Sequence, residues 1–223
     1  MTVIIGIDTS SSLTSVAVID GSGDAVLTRE HDDPRHHAEL IGPMLSELAA
    51  AVDRSAVQAV VCGVGPGPYT GLRVGIAAAI AFGAAWEAPV HGLCSLDALA
   101  AQVLAALPGR GVQVASDARR QELYWAEYDA EGTRIAGPRV RPAGEFGDEV
   151  VRGSASALWV ARRAQALLLA GAPVAHVDVP LDAHGHDTGA TEAALLGTVL
   201  LPPRPLYLRR PDAMVPRASG VPS

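Results

Sequence analysis

The first thirty residues place apolar side chains in three short blocks, 3–8, 14–20 and 25–30, with Gly21-Ser22-Gly23-Asp24 between the last two. Blocks of this length bounded by turn-forming residues predict strands, and three in succession predict an antiparallel start to a sheet. The period then lengthens. Leu40, Ile41, Met44, Leu45, Leu48 and Val52 recur at helical spacing, which puts them on one face of a helix over 37–52. Pro43 is expected to bend it, because proline lacks an N–H and crowds the preceding turn. A buried strand at 59–64, a glycine-rich loop, a helix at about 71–86, a short strand at 90–93 and a helix over 95–107 follow.

The resulting order, βββαβαβα, is similar to the ribonuclease-H-like half of the actin-like (ASKHA) group, an α/β fold. There, three antiparallel strands of a mixed sheet are extended by two parallel ones reached through helices. A second half begins near Gly109-Arg110-Gly111, with strands at 112–117, 122–128 and near 134–140, and helices at about 155–169 and 191–200. These are fewer pieces than a full repeat. The expected organisation is an N-terminal lobe over 1–108, a shortened C-terminal lobe over 109–210, and a tail over 211–223 read as mobile, within a proline-rich end that starts at Pro202. Fold alone leaves catalysis open.

Composition removes several functions. All 17 basic side chains are arginine, so there is no lysine for a P-loop, a Schiff base or a general base. A net charge of −7 argues against a chain that grips nucleic acid phosphates by itself. Cys62 and Cys94 form neither a CxxC pair nor a ligand cluster, which fits a reducing cytoplasm. The N-terminus reaches Asp8 without a charged n-region and does not read as a secretory signal. The apolar run 74–86 is shorter than a membrane span and rich in Ala and Gly, and reads as a packed helix of a soluble protein with no membrane partner.

The strongest local motif is Gly63-Val64-Gly65-Pro66-Gly67-Pro68-Tyr69-Thr70-Gly71-Leu72-Arg73, between a strand and a helix. Such loops can aim N–H groups at an anion, but Pro66 and Pro68 have none to offer, which favours a structural turn with Thr70 as helix N-cap. Asp8-Thr9-Ser10-Ser11-Ser12 follows the first strand where actin-like ATPases approach phosphates. Asp8, Thr9, Ser10, Gly67 and Thr70 therefore define a candidate vestigial nucleotide region. The competing reading is that Asp8 and the hydroxyls satisfy their own turn, and it is favoured because no second phosphate loop is found. His36-His37 and His184-Gly185-His186-Asp187 lack the spacing that brings two histidines to one ion, so no metal site is expected. Gly71, Gly75, Ala79 and Gly83 recur every four residues, leaving a smooth groove for close approach of another helix, within the chain or from a second protein.

Taken in order, Ile5-Gly6-Ile7-Asp8-Thr9-Ser10, Arg35-His36-His37-Ala38-Glu39-Leu40-Ile41-Gly42-Pro43, the glycine-rich loop, Asp117-Ala118-Arg119-Arg120-Gln121-Glu122-Leu123-Tyr124 and Pro205-Leu206-Tyr207-Leu208-Arg209 resemble the TsaB family, formerly YeaZ. The family loop usually has Ser-Phe where this chain has Pro68-Tyr69. The resemblance implies an actin-like subunit that pairs with the catalytic subunit TsaD and is joined by the ATPase TsaE. That complex transfers a threonylcarbamoyl group to the adenosine beside the anticodon of tRNA, which this chain would meet only indirectly. It implies a non-catalytic scaffold with no cofactor of its own, ATP and a metal ion belonging to the partners. The paired histidines of TsaD are missing here, since the fourth residue after His37 is Ile41. A partner interface is expected at His37, Leu40, Ile41, Met44, Leu45, Leu48, Gly71, Gly75, Ala79, Phe82 and Gly83. Homodimer or monomer in isolation is left open. The rival readings are an actin-like ATPase or small-molecule kinase using Asp8, and a metallopeptidase.

Overall fold

The computed structural model describes residues 2–174 and 199–208. The histidine group at 184–187, most of the helix expected over 191–200 and the tail 211–223 lie outside them.

The first sheet contains β1 (Val3–Asp8), β2 (Leu13–Asp20), β3 (Ala25–Asp32), β4 (Val57–Gly63) and β5 (Val90–Leu93) in the order β3-β2-β1-β4-β5. β1, β2 and β3 pair antiparallel, whereas β4 joins β1 and β5 joins β4 in parallel. The parallel pairs need crossovers, supplied by α1 (His37–Ala51) and α2 (Tyr69–Trp86). α1 runs on through Pro43, which sits on the exposed side where the carbonyl it orphans can be hydrated. The cap of α2 differs from expectation: it is Pro68, in extended conformation, and Thr70 lies exposed inside the first turn.

Alternation along β1 sets the layers. Val3, Ile5 and Ile7 join Val16, Val18, Val60 and Cys62 beneath α1 and α2, contributing Leu48, Leu72 and Ile76. Ile4 joins Ile19, Ala59, Val61 and Leu93 on the opposite side. That rear face is covered by α4 (Ala157–Leu169), through Val160, Ala161, Ala164 and Leu167. Burying a valine or leucine of this kind stabilises by about 1.5–3 kcal/mol, and an alanine methyl by less. Gly6 is what lets α4 settle there, since a Cβ at that position would collide with the Ala157 carbonyl. The Ser15 hydroxyl accepts from the Ala157 N–H at 2.9 Å and fixes the start of the helix.

The second sheet consists of β6 (Val112–Asp117), β7 (Glu122–Tyr128), β8 (Arg134–Pro142) and β9 (Val150–Arg152), ordered β8-β7-β6-β9. It repeats the three antiparallel strands and only one of the two parallel additions of the first, and a short 3₁₀ turn at Ala143–Glu145 stands where the first sheet has a helix. The expectation of a shortened second half had no β9, whose three residues are too few to show a period. The dividing line at 108/109 separates the sheets but not the helices, because α4 follows the second sheet and packs on the first.

Two further ties hold the halves together. α3 (Ser95–Ala106) carries Asp97, which accepts from the Arg134 guanidinium at 2.6–3.0 Å and from the Tyr128 hydroxyl at 2.6 Å, all three residues being buried. Residues 199–208 return to the first sheet. Leu201 exchanges backbone bonds with Gly92 at 2.6 and 2.8 Å, and Leu206 donates to the Val64 carbonyl at 2.7 Å. Leu200, expected to end a helix, instead forms a bridge with Val174.

Candidate functional site

Parallel strands of an open α/β sheet end where ligands usually bind, and here the ends of β1 and β4 bring Asp8, Thr9, Ser10, Gly67 and Gly71 together. Asp8 is fully buried, with both carboxylate oxygens engaged. Oδ1 accepts from the Ser10 N–H at 2.8 Å and from its hydroxyl at 2.7 Å, and Oδ2 accepts from the Ser95 hydroxyl at 2.9 Å. Ser95 in turn accepts from the Gly65 N–H at 3.2 Å and donates its own N–H to the Gly65 carbonyl at 2.8 Å. Burial pushes the Asp8 carboxyl up to about 6, against the downward pull of Ser10 and Ser95. Ser95 carried no signal in the sequence, because a serine opening a helix looks like any other.

The glycine-rich loop lies directly on this turn. A Cβ on Gly63 would overlap the Asp8 carboxylate, and one on Gly67 would overlap the Ser10 carbonyl. The loop backbone therefore packs directly against the Asp8 carboxylate and the Ser10 carbonyl, at positions with no room for a side chain. Of the five residues read as a vestigial nucleotide region, Asp8, Thr9, Ser10 and Gly67 come together, and Thr70 stands apart on the surface of α2. Within its own turn Asp8 is partnered by Ser10, and from α3 by Ser95.

The two adjacent histidines separate. His37 is buried, its Nδ1 2.6 Å from the Thr14 hydroxyl and its ring against Gly71, and burial pulls it below the usual histidine range. His36 is exposed, with Nδ1 2.8 Å from Asp33. Cys62 and Cys94 are buried thiols pushed up to about 12 by burial, so neither is a nucleophile at neutral pH.

The expected partner face needs a larger correction. Gly71, Gly75, Ala79 and Gly83 are buried and face inward. A Cβ on Gly71 would come within 2.5 Å of the Thr9 carbonyl, one on Gly75 would collide with the Thr9 hydroxyl, and one on Gly83 with Val90. The groove is occupied by the turn after β1, at Thr9, and by β5, at Val90, of the same chain. His37, Ile41 and Leu48 are likewise internal, while Leu40, Met44, Leu45 and Phe82 are half-buried. The surface of α2 is instead Tyr69, Thr70, Arg73, Ala77, Ile80, Ala81, Ala84 and Ala85, with Ile80 45% exposed. By length and composition α2 could also cross a membrane, but its inner side is packed on the sheet.

Comparison with known proteins yields one family. The family model described as TsaD, tRNA N6-adenosine threonylcarbamoyltransferase, matches residues 31–156, more than half of the chain. An uncharacterised protein of Mycobacterium tuberculosis is 38% identical over 216 residues, covering 90% of this chain and 94% of its own. The tRNA threonylcarbamoyladenosine biosynthesis protein TsaB of Escherichia coli is 34% identical over 137 residues, 59% of this chain and 57% of that protein. The solved structure of YeaZ from Pseudomonas aeruginosa superposes with a TM-score of 0.67 at 27% identity, over 77% of this chain and 94% of that one. The chain belongs to the TsaB family.

With TsaB as the frame, the strand order β3-β2-β1-β4-β5 is that of an actin-like fold, as the sequence suggested. The family's glycine-rich loop is here a lid on Asp8, and the Pro68 of this TsaB-family chain sits at the start of α2. The Asp117–Tyr124 motif forms the β6–β7 turn, where Arg119, Arg120 and Gln121 all have positive φ, 61°, 54° and 59°. Left-handed backbone at three successive non-glycine residues is uncommon, and no glycine stands in this turn to announce it.

Proposed function

We propose that this chain is the docking subunit of tRNA threonylcarbamoyladenosine biosynthesis, pairing with TsaD in the cytoplasm through the outer surface of α2 and the adjoining edge of α1. It takes no part in the transfer step. The observation that carries the docking reading is the uncharged strip Ala77, Ile80, Ala81, Ala84 and Ala85, exposed along three turns of α2. Small side chains let a second helix approach closely, and an exposed apolar strip along one helix favours a protein partner. The scaffold reading is supported by Asp8, whose oxygens are taken up by Ser10 and Ser95 beneath the glycine-rich loop. In this reading nucleotide and metal belong to TsaD and TsaE.

The test is co-elution of the purified chain with TsaD, followed by reconstituted threonylcarbamoyl transfer to tRNA with TsaE present. Ile80→Asp is expected to abolish co-elution and depress transfer while the free chain keeps its melting temperature. Normal co-elution of Ile80→Asp would remove α2 from the interface.

A further inference from the structure

An alanine-rich strip gives a partner helix somewhere to lie but little to fix its register, since a slip by one turn meets much the same surface. Arg73 is the only charged residue in α2 from Tyr69 to Trp86, and it is exposed. It lies one turn before Ala77, at the end of the strip. Its guanidinium does not wander freely. It stands over the Tyr69 ring, 5.0 Å from the centroid, and Nη1 donates to the Tyr69 hydroxyl at 3.1 Å. Among the described residues it has no carboxylate partner.

Tyr69 is itself held. Tyr207 stacks on it with centroids 4.9 Å apart and planes 22° from parallel. Tyr207 is placed by the strap 201–207, pinned by the Leu201–Gly92 bridge and the bond from Leu206 to Val64. An arginine ordered before a partner arrives loses less side-chain freedom on binding, so its contact contributes more to affinity.

We propose that Arg73 is the specificity-determining residue of the docking surface, meeting a carboxylate on the partner's helix, and that Tyr207 is a positioning residue holding it there through Tyr69. This rests on the docking reading above. It assigns the strap, distant in sequence from α2, a part in choosing the partner and the register.

The experiment measures the Kd of the full chain for TsaD with Arg73 and Tyr207 variants, each checked by melting temperature, and with Ile80→Asp as reference. Arg73→Glu is expected to weaken binding by about tenfold or more, in a manner that shrinks as salt rises from about 0.1 M to about 0.5 M. Arg73→Lys keeps the charge but loses the planar fork over the ring, and should fall between Arg73→Glu and the parent. Tyr207→Phe keeps the stack and should bind as the parent does. Tyr207→Ala should weaken binding about threefold or more, and this loss should vanish when Arg73 is already alanine, as coupled residues require. A purely structural Tyr207 would lower the melting temperature and keep its full effect in the Arg73→Ala background, which would overturn its positioning role. Arg73→Glu binding within about twofold of the parent, while Ile80→Asp abolishes binding, would overturn the proposal and leave the docking reading intact. Unchanged binding by Ile80→Asp would instead remove the docking reading and the proposal with it.

Discussion

Asp8 is a carboxylate whose surroundings favour its protonated form. Unfolded, it titrates near 3.8; folded, burial moves it up to about 6. Between those values the native state holds a proton that the unfolded chain has released, so stability falls as pH rises through the window and levels off above it. The full effect is about 3 kcal/mol at neutral pH. Asp8→Asn can still accept from Ser10, and should raise the melting temperature at pH 7.5 with the gain disappearing near pH 4. A lower melting temperature at pH 7.5 would mean that hydrogen bonds to the charged form outweigh burial. His37 acts in the opposite sense. Its folded value is depressed below 6.5 by burial, so its contribution is present above that pH and is lost as pH falls below it. His37→Gln should therefore flatten the acid limb of the stability curve measured by urea unfolding.

Helix α2 shows what can and cannot be read at the scale of an element. Its existence, its end at Trp86 and the four-residue recurrence of Gly71, Gly75, Ala79 and Gly83 were plain in the sequence. Which side faces inward was not, because the opposite side is alanine and isoleucine and has hardly more polarity than the groove. The deciding fact is the depth of the Asp8-Thr9-Ser10 turn, a long-range contact to which no local period refers. A methyl at position 75 meets the Thr9 hydroxyl. Gly75→Ala gains up to about 1 kcal/mol of helix propensity, but overpacking costs about 1–3 kcal/mol, so the net expectation is a lower melting temperature in the free chain. Ala81→Asp, on the outer side, should leave melting nearly unchanged and weaken TsaD binding. The strands were legible to within a residue or two because their turns are marked by Gly, Asp and Ser. β9 was not, and neither was the non-helical path around Leu200.

At the scale of the molecule, the joint between the sheets depends on a buried ion pair that no sequence pattern announced. Asp97, Tyr128 and Arg134 lie on α3, β7 and β8, and each alone looks like an ordinary surface or core residue. Together they form a network in which burial pulls Arg134 down but the Asp97 carboxylate outweighs it and holds it above its ordinary value, while burial raises Tyr128. Removing one charge leaves the other uncompensated in the interior, which is destabilising by about 3–5 kcal/mol. Arg134→Met should therefore lower the urea midpoint sharply. Asp97→Asn with Arg134→Met together should recover part of the loss, and failure to recover would place the effect in packing rather than charge.

The crossing of α4 from the second sheet to the rear of the first also orders events during synthesis. Ile4, Ile19, Ala59, Val61 and Leu93 emerge from the ribosome with the whole second sheet still to come before their cover, Val160, Ala161, Ala164 and Leu167, is made. A nascent chain halted after α3 holds out five strands with a bare apolar back, the kind of surface that recruits chaperones or aggregates. A fragment ending at residue 108 is accordingly expected to be insoluble on expression, and to be rescued by co-expressing residues 109–223 as a separate chain. For the cell, the first sheet is secured only once α4 is made, and a premature stop anywhere before α4 yields a sticky product rather than a smaller working one.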